Sequence, residues 1–207
     1  MPEAHNVEVY ADLWCPFAYV GLVAATKYCD ELRNRVQLTI RSWPLELVNS
    51  GPLSKEKTFA NASALRASVA PELFCGIDNW SYPRSTLSAL ALAAKANDLD
   101  LDLGRMVSMY LRHRLFEDGA DLSSEDELSA VAKQFNLKRG GNDLLLMEQE
   151  YAAGKRRGVK GSPHFFCENG AEIFCPTLDL SRDPQGNLEV VQMENRLQGF
   201  LQDCAES

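Results

Sequence analysis

With 207 residues, 45% of them hydrophobic, the chain is long enough to bury a substantial core without covalent staples. A formal net charge of −8 disfavours nucleic-acid backbones and anionic membranes as partners, because both attract concentrated Lys and Arg. Met1–Val9 has no basic stretch followed by an apolar run, and no window reaches the roughly 18 apolar residues that a membrane span needs. We therefore expect a cytoplasmic location. The basic run Lys155-Arg156-Arg157 reads as a solvated helix end, where cations favour the dipole. Six cysteines, at 15, 29, 75, 167, 175 and 204, match neither a dense disulfide framework nor the paired spacing of a zinc site, so no metal is expected.

In chain order, Val7–Ala11 alternates as a strand that should end at the Trp14-Cys15 junction. A helix of about five turns follows, with Pro16 at its start and Phe17, Val20, Ala24, Tyr28 and Leu32 at helical spacing. Val36–Trp43 reads as a second strand, stopped by Pro44. Strand, helix and strand make a right-handed parallel βαβ unit. From Ser54 onward the pattern is helical, with segments expected at Lys55–Val69, Pro83–Ala96, Leu103–Phe116, Glu125–Phe135 and Asn142–Lys155. Ser124 with Glu127 fits a capping box. Strands return at His164–Cys167 and Glu172–Cys175 around an Asn169-Gly170 hairpin turn. An irregular stretch then leads to a closing helix over Glu189–Gln202. The expected fold class is α/β: 1–50 and 156–207 form one domain, and 51–155 form an all-helical insertion.

Two segments carry chemistry. In Trp14-Cys15-Pro16-Phe17-Ala18 a thiol stands at the first turn of a helix, where free amides and the positive dipole end favour the thiolate. Cys15 is thus a candidate nucleophile, against the alternative of a cysteine that only packs. In Gly158-Val159-Lys160-Gly161-Ser162-Pro163 a turn feeds a strand whose first residue is proline, a setting that suits a cis X-Pro bond. Ser162 could then offer its backbone to an extended ligand. Trp14, Phe17, Trp43 and Pro44 are candidates for an apolar wall, and Trp80 and Tyr82, beside Arg84 and Ser85, for a second wall. His113 reads as a surface residue. His164 follows Pro163 but alternation turns it to the other side of the strand.

Together these segments, in this order, resemble the DsbA family of thioredoxin-fold proteins, in its FrnE-like branch. Asp12-Leu13-Trp14-Cys15-Pro16-Phe17-Ala18-Tyr19-Val20-Gly21 is similar to the family's Asp-x-x-Cys-Pro-x-Cys-Tyr-x-Gly segment. Tyr151 to Phe166 is similar to its helix, Gly-Val-x-Gly-x-Pro turn and strand, and Ser85–Ala89 and Phe116–Leu137 to parts of its helical insertion. The resemblance implies a thioredoxin fold (βαβ–ββα) split by that insertion, with Cys15 catalytic. Trp14, Pro16, Phe17, Ala18, Trp43, Ser162 and Pro163 would bind substrate or glutathione.

One departure matters: the place of the second, resolving cysteine is held by Ala18, so C-x-x-A replaces C-x-x-C. A two-cysteine cycle cannot run locally. Cys29, fourteen residues along the same helix, is about 21 Å away, far beyond the ~7 Å reach of a disulfide. Cys75 and Cys175 are the remaining thiols that could approach Cys15, with a structural role as the default for both. Cys167 runs away along its strand, and Cys204 falls in a frayed tail. Three functions stay open. The first is single-cysteine oxidoreductase chemistry on small thiols or glutathionylated or electrophilic substrates. In it glutathione would be a cosubstrate, with no covalently bound cofactor. The second is glutathione-dependent isomerisation or transfer, as in the similar 2-hydroxychromene-2-carboxylate isomerases and kappa-class glutathione transferases, which carry serine where this chain has Cys15. The third is non-catalytic binding or chaperoning. Related folds are often homodimers.

Overall fold

The computed structural model describes residues 4–32, 35–185, 188–193 and 195–206. The elements in order are β1 (His5–Ala11), α1 (Pro16–Glu31), β2 (Val36–Ser42), the single turn α2 (Leu45–Val48) and α3 (Lys55–Ser68). After them come α4 (Leu87–Leu99), α5 (Leu101–Phe116), α6 (Glu125–Gln134) and α7 (Asp143–Arg157). The chain closes with β3 (His164–Cys167), β4 (Glu172–Phe174), β5 (Leu178–Arg182), β6 (Leu188–Gln192) and α8 (Arg196–Ala205).

The main sheet has the order β2-β1-β3-β4, with β1 parallel to β2 and the other pairs antiparallel. Val7, Val9, Leu38, Ile40 and Phe165 turn one face towards α1 and α8, where Leu22, Ala25, Leu197 and Leu201 complete a buried layer. Tyr10, Trp43 and Phe166 form a smaller cluster on the opposite face, with Tyr151 of α7 against it. This is a thioredoxin fold of DsbA-like form, with a helical insertion between β2 and β3. Insertion and sheet domain share an apolar core, in which Leu13, Trp14 and Tyr19 pack with Phe74, Trp80, Leu111 and Phe116.

β2 is an edge strand, and the insertion caps it. Asn97 Nδ2 of α4 donates to Ile40 O at 2.7 Å, and Glu150 of α7 accepts from the Ser42 amide at 2.8 Å and its hydroxyl at 2.6 Å. Glu150 also takes Asn97 Nδ2 at 3.0 Å and Arg41 Nη1 at 3.2 Å. Unpaired edge groups are thereby satisfied from side chains, which closes this edge to further pairing.

Several expected boundaries shift, each for a physical reason. β1 stops at Ala11, because the next backbone groups bond to the side chains of Asp12 and Arg112 and to Ser162. α4 begins at Leu87, after Ser85 turns its hydroxyl to Glu46 at 2.8 Å. The expected capping box forms by half: the Ser124 hydroxyl accepts from the Glu127 amide, but Glu127 pairs with Arg114 at 2.6 Å. The closing helix is the larger correction. Leu188–Gln192 pairs with Leu178–Arg182 as a hairpin, since β-branched Val190 and Val191 suit a strand. α8 starts at Arg196 and runs to Ala205; of the expected helix, residue 194 lies outside the described residues. Cys204 is correspondingly buried at the centre of the α8 contact and not in a frayed tail.

Gly104 lets α5 approach α4 at this capped edge. A Cβ there would fall on the Asn97 carboxamide and 2.8 Å from the Asn97 Cα. Gly104→Ala should therefore destabilise the fold by about 3 kcal/mol, through overpacking and loss of the Asn97 bonds. Urea unfolding measures it; a change below about 1 kcal/mol would mean that the two helices readily part.

Candidate active site

An irregular connection, residues 12–15, joins β1 to α1 and leaves Cys15 at the N-cap of the helix, with Pro16 in the first position, where an N–H is not needed. The Cys15 thiol donates to Ser162 O at 3.1 Å. Ser162 is joined to Pro163 by a cis peptide bond, and its hydroxyl accepts from the Asp12 amide at 2.9 Å. One serine thus holds both ends of the connection, and the sequence-predicted residues Cys15, Ser162 and Pro163 meet.

Asp12 and Arg112 support the connection from inside. The buried Asp12 carboxylate accepts from the amides of Trp14 at 2.7 Å and Leu45 at 2.5 Å. Arg112, equally buried, donates from Nη1 to Ser108 O and Oγ, at 3.0 and 2.5 Å. Its Nη2 donates to Asp12 O and Ala11 O, at 3.2 and 3.4 Å. Burial pushes Asp12 up to about 6, while the two amides and the Arg112 charge pull it down. Burial brings Arg112 down to about 10, with Asp12 opposing. Both are charged at neutral pH, a buried pair whose remaining polar atoms are largely committed to backbone.

The thiol itself reverses an expectation. Cys15 is only 4% exposed, and burial raises its pKa to about 11. The Ser162 hydroxyl and the amides of Ala18 and Phe17 pull it down, and the Asp12 charge pushes it up. The helix N-terminus contributes as anticipated, but loss of solvent outweighs it. The Ser162 carbonyl, by accepting the S–H, also favours the protonated form.

Around the thiol, Pro16 and Ala18 are buried and Phe17 is half-buried between the two larger cores. Trp14 is fully buried and stacks on Tyr82 of the insertion, centroids 5.8 Å apart and planes 8° apart. Tyr82 is held by its hydroxyl bond to Leu53 O at 3.0 Å and meets Trp80 edge-on at 5.0 Å. Trp43 is not part of this wall. It packs against Tyr10, Tyr151 and Phe166 on the sheet face opposite the cluster that holds Cys15. His164 is buried on that same opposite face, its Nδ1 accepting from the Lys160 amide at 3.2 Å. His113 is exposed, 3.3 Å from Asp118.

Of the other cysteines, Cys75 is exposed on its own loop, its amide bonded to Glu117. Cys29, Cys167 and Cys204 are buried together between sheet, α1 and α8. Cys175 directly follows β4, and its amide donates to Pro163 O at 3.0 Å. Arg112 escaped the sequence reading, although the signal is there. Gly104, Val107, Ser108, Leu111 and Leu115 form the buried stripe of α5, and Arg112 stands four residues after Ser108 on it. Among the described residues no group of side chains is arranged to hold a metal, and no helix is long and apolar enough to cross a membrane.

Fold and site together define a DsbA-like thioredoxin-fold protein with one cysteine at the helix N-terminus. No protein-family model matches the sequence, and no curated protein does. Solved structures do match. A putative protein disulfide isomerase from Nitrosomonas europaea superposes with a TM-score of 0.69 at 10% identity, covering 99% of this chain and 97% of that one. The cytosolic disulfide reductase DsbM from Pseudomonas aeruginosa, solved with GSH, gives 0.60 at 12% identity, over 98% and 100%. A 2-hydroxychromene-2-carboxylate isomerase gives 0.58 at 12%, over 82% and 88%. At such identities the likeness establishes the fold alone.

A thiol raised to about 11 reacts slowly at neutral pH. In a Cys75→Ser background, alkylation of Cys15 by iodoacetamide should rise about tenfold per pH unit from pH 7 to about 10. A plateau near pH 8.5 would show an unperturbed thiol, and one below pH 7 an activated thiolate.

Proposed function

We propose that this chain is a thiol-disulfide exchange protein that works through Cys15, with glutathione as cosubstrate and small glutathionylated molecules as substrates. The observation that carries this reading is the Cys15 thiol at the N-cap of α1, 3.1 Å from the Ser162 carbonyl, with Ala18 where a second sulfur would stand. The Cys15 sulfur attacks the glutathione sulfur of the substrate disulfide; the S–S bond breaks and the departing thiolate takes up the proton that Cys15 gives to solvent. A second thiol then removes the glutathionyl group from Cys15, and the electrons lost by that thiol reduce the disulfide. A bound backbone that competes for Ser162 O frees the S–H, and the amides of Phe17 and Ala18 stabilise the sulfur as it ionises.

The raised thiol pKa favours a second reading, in which Cys15 stays protonated and donates a hydrogen bond to glutathione during isomerisation or transfer. The two separate cleanly. After exposure to oxidised glutathione, peptide mapping should show loss of the free thiol at residue 15, and turnover of a glutathionylated substrate should fall at least 100-fold in Cys15→Ser. A thiol that stays free, with glutathione-dependent isomerase activity surviving in Cys15→Ser, supports the second reading; neither activity supports a binding protein.

Ala18 is the third residue after Cys15 and fully buried at the helix start. Ala18→Cys should create a dithiol that oxidises reversibly and reduces insulin, as titration against dithiothreitol would show. A variant that forms no disulfide between positions 15 and 18 would place residue 18 out of reach of Cys15.

A further inference from the structure

Ala18 removes the local partner of Cys15, yet a second cysteine is hydrogen-bonded through its backbone to the same turn. Cys15 Sγ contacts Ser162 O at 3.1 Å, and the Cys175 amide contacts the next carbonyl, Pro163 O, at 3.0 Å. Cys175 belongs to the apolar cluster of Trp14 and Tyr19, which flank Cys15 in sequence, while Cys15 itself lies in the adjoining cluster under the sheet. The two thiols lie within electrostatic reach, since the charge of Cys15 raises Cys175.

The Cys175 backbone is also left-handed, with φ at +44°, a conformation disfavoured for a residue with a Cβ that it shares with Ser50, Phe74, Asn136 and Asn195. The turn after β4 would accept glycine or asparagine more easily, and strained positions of this kind cluster at functional sites. The remaining cysteines are placed elsewhere. Cys167 pairs with Val7, four residues before the end of β1 at Ala11, and lies with Cys29 and Cys204. Cys75 sits on an exposed loop, its sulfur 3.8 Å from Glu72 O.

We propose that Cys175 is the resolving cysteine of this site, attacking the Cys15 sulfur of a glutathione mixed disulfide to form a Cys15–Cys175 disulfide. The proposal rests on the exchange reading above and names the thiol that completes it. The Cys175 S–H loses its proton, its sulfur bonds to Cys15 Sγ, the Cys15–glutathione S–S bond breaks, and glutathione leaves as a thiolate that takes the proton. Two further glutathione molecules then reduce the protein disulfide and depart as oxidised glutathione, which restores both thiols. Burial raises Cys175 to about 12, and Cys15 adds to that as an anion.

The test uses the full chain, reduced, treated with oxidised glutathione, quenched in acid and mapped by mass spectrometry. Wild type should yield mainly a Cys15–Cys175 disulfide with little retained glutathione. Cys175→Ser should retain the glutathione adduct on Cys15 at least fivefold more, and Cys175→Ala should behave the same. An equal, stable adduct on Cys15 in wild type and both variants overturns the role of Cys175 and leaves the exchange reading standing. A Cys15 thiol that stays free in all three proteins overturns both. The wild-type map decides the matter even if a variant misfolds, because a disulfide linking other cysteines, or none, is equally fatal to the proposal.

Discussion

The site depends on what Ser162 does with both ends of its short polar reach. Its hydroxyl accepts the amide of Asp12 and its carbonyl accepts the thiol of Cys15, so the connection between β1 and α1 is clamped at start and finish by one residue 147 positions beyond Cys15. Such a clamp exists only when β3 is paired with β1, because Val9 opposite Phe165 and Tyr10 opposite His164 bring residue 162 alongside residue 12. Strand pairing, loop shape and thiol position are therefore one event.

Electrostatics then sets the character of the sulfur. A helix N-terminus stabilises an adjacent anion by at most about 2 kcal/mol, and usually by less than 1. Raising Cys15 from its ordinary value to about 11 corresponds to roughly 3 kcal/mol in favour of the protonated form after every local amide has acted. Desolvation wins because Cys15 is buried among the sheet, α1 and α8, while beside it the insertion seals Trp14 with Tyr82 and Tyr19 with Phe74 and Phe116. The thiol is consequently shielded from solvent and held protonated.

The insertion is more than a cover. Arg112 reaches from α5 to the carbonyls of Ala11 and Asp12, and Asn97 and Glu150 complete the edge of β2. A buried arginine is tolerated there because its two terminal nitrogens meet carbonyls and a hydroxyl within the field of Asp12, although its Nε is left without a partner. Removing the helical segment would take the Arg112 charge away from Asp12, whose two amide bonds would remain, and would open the strand edge, which couples the helical segment to the integrity of the site.

The sequence by itself determined the βαβ and ββ units, the long helical segment and the identity of the two chemical segments. These are written in local periodicity, in Asn169-Gly170, and in Pro16 and Pro163, which constrain only their immediate neighbours. The β5–β6 hairpin was illegible, because its strands are half polar and gain their identity by pairing with each other. So was the burial of Cys204, which depends on α8 meeting the sheet. Only tertiary structure decided that Trp43 belongs to the far face, that Arg112 and Asp12 share an interior, that the Cys175 amide reaches the turn at Pro163, and that the thiol is held protonated. Each of these is a property of distance and dielectric between residues far apart in the chain, and neither quantity is encoded in spacing along it.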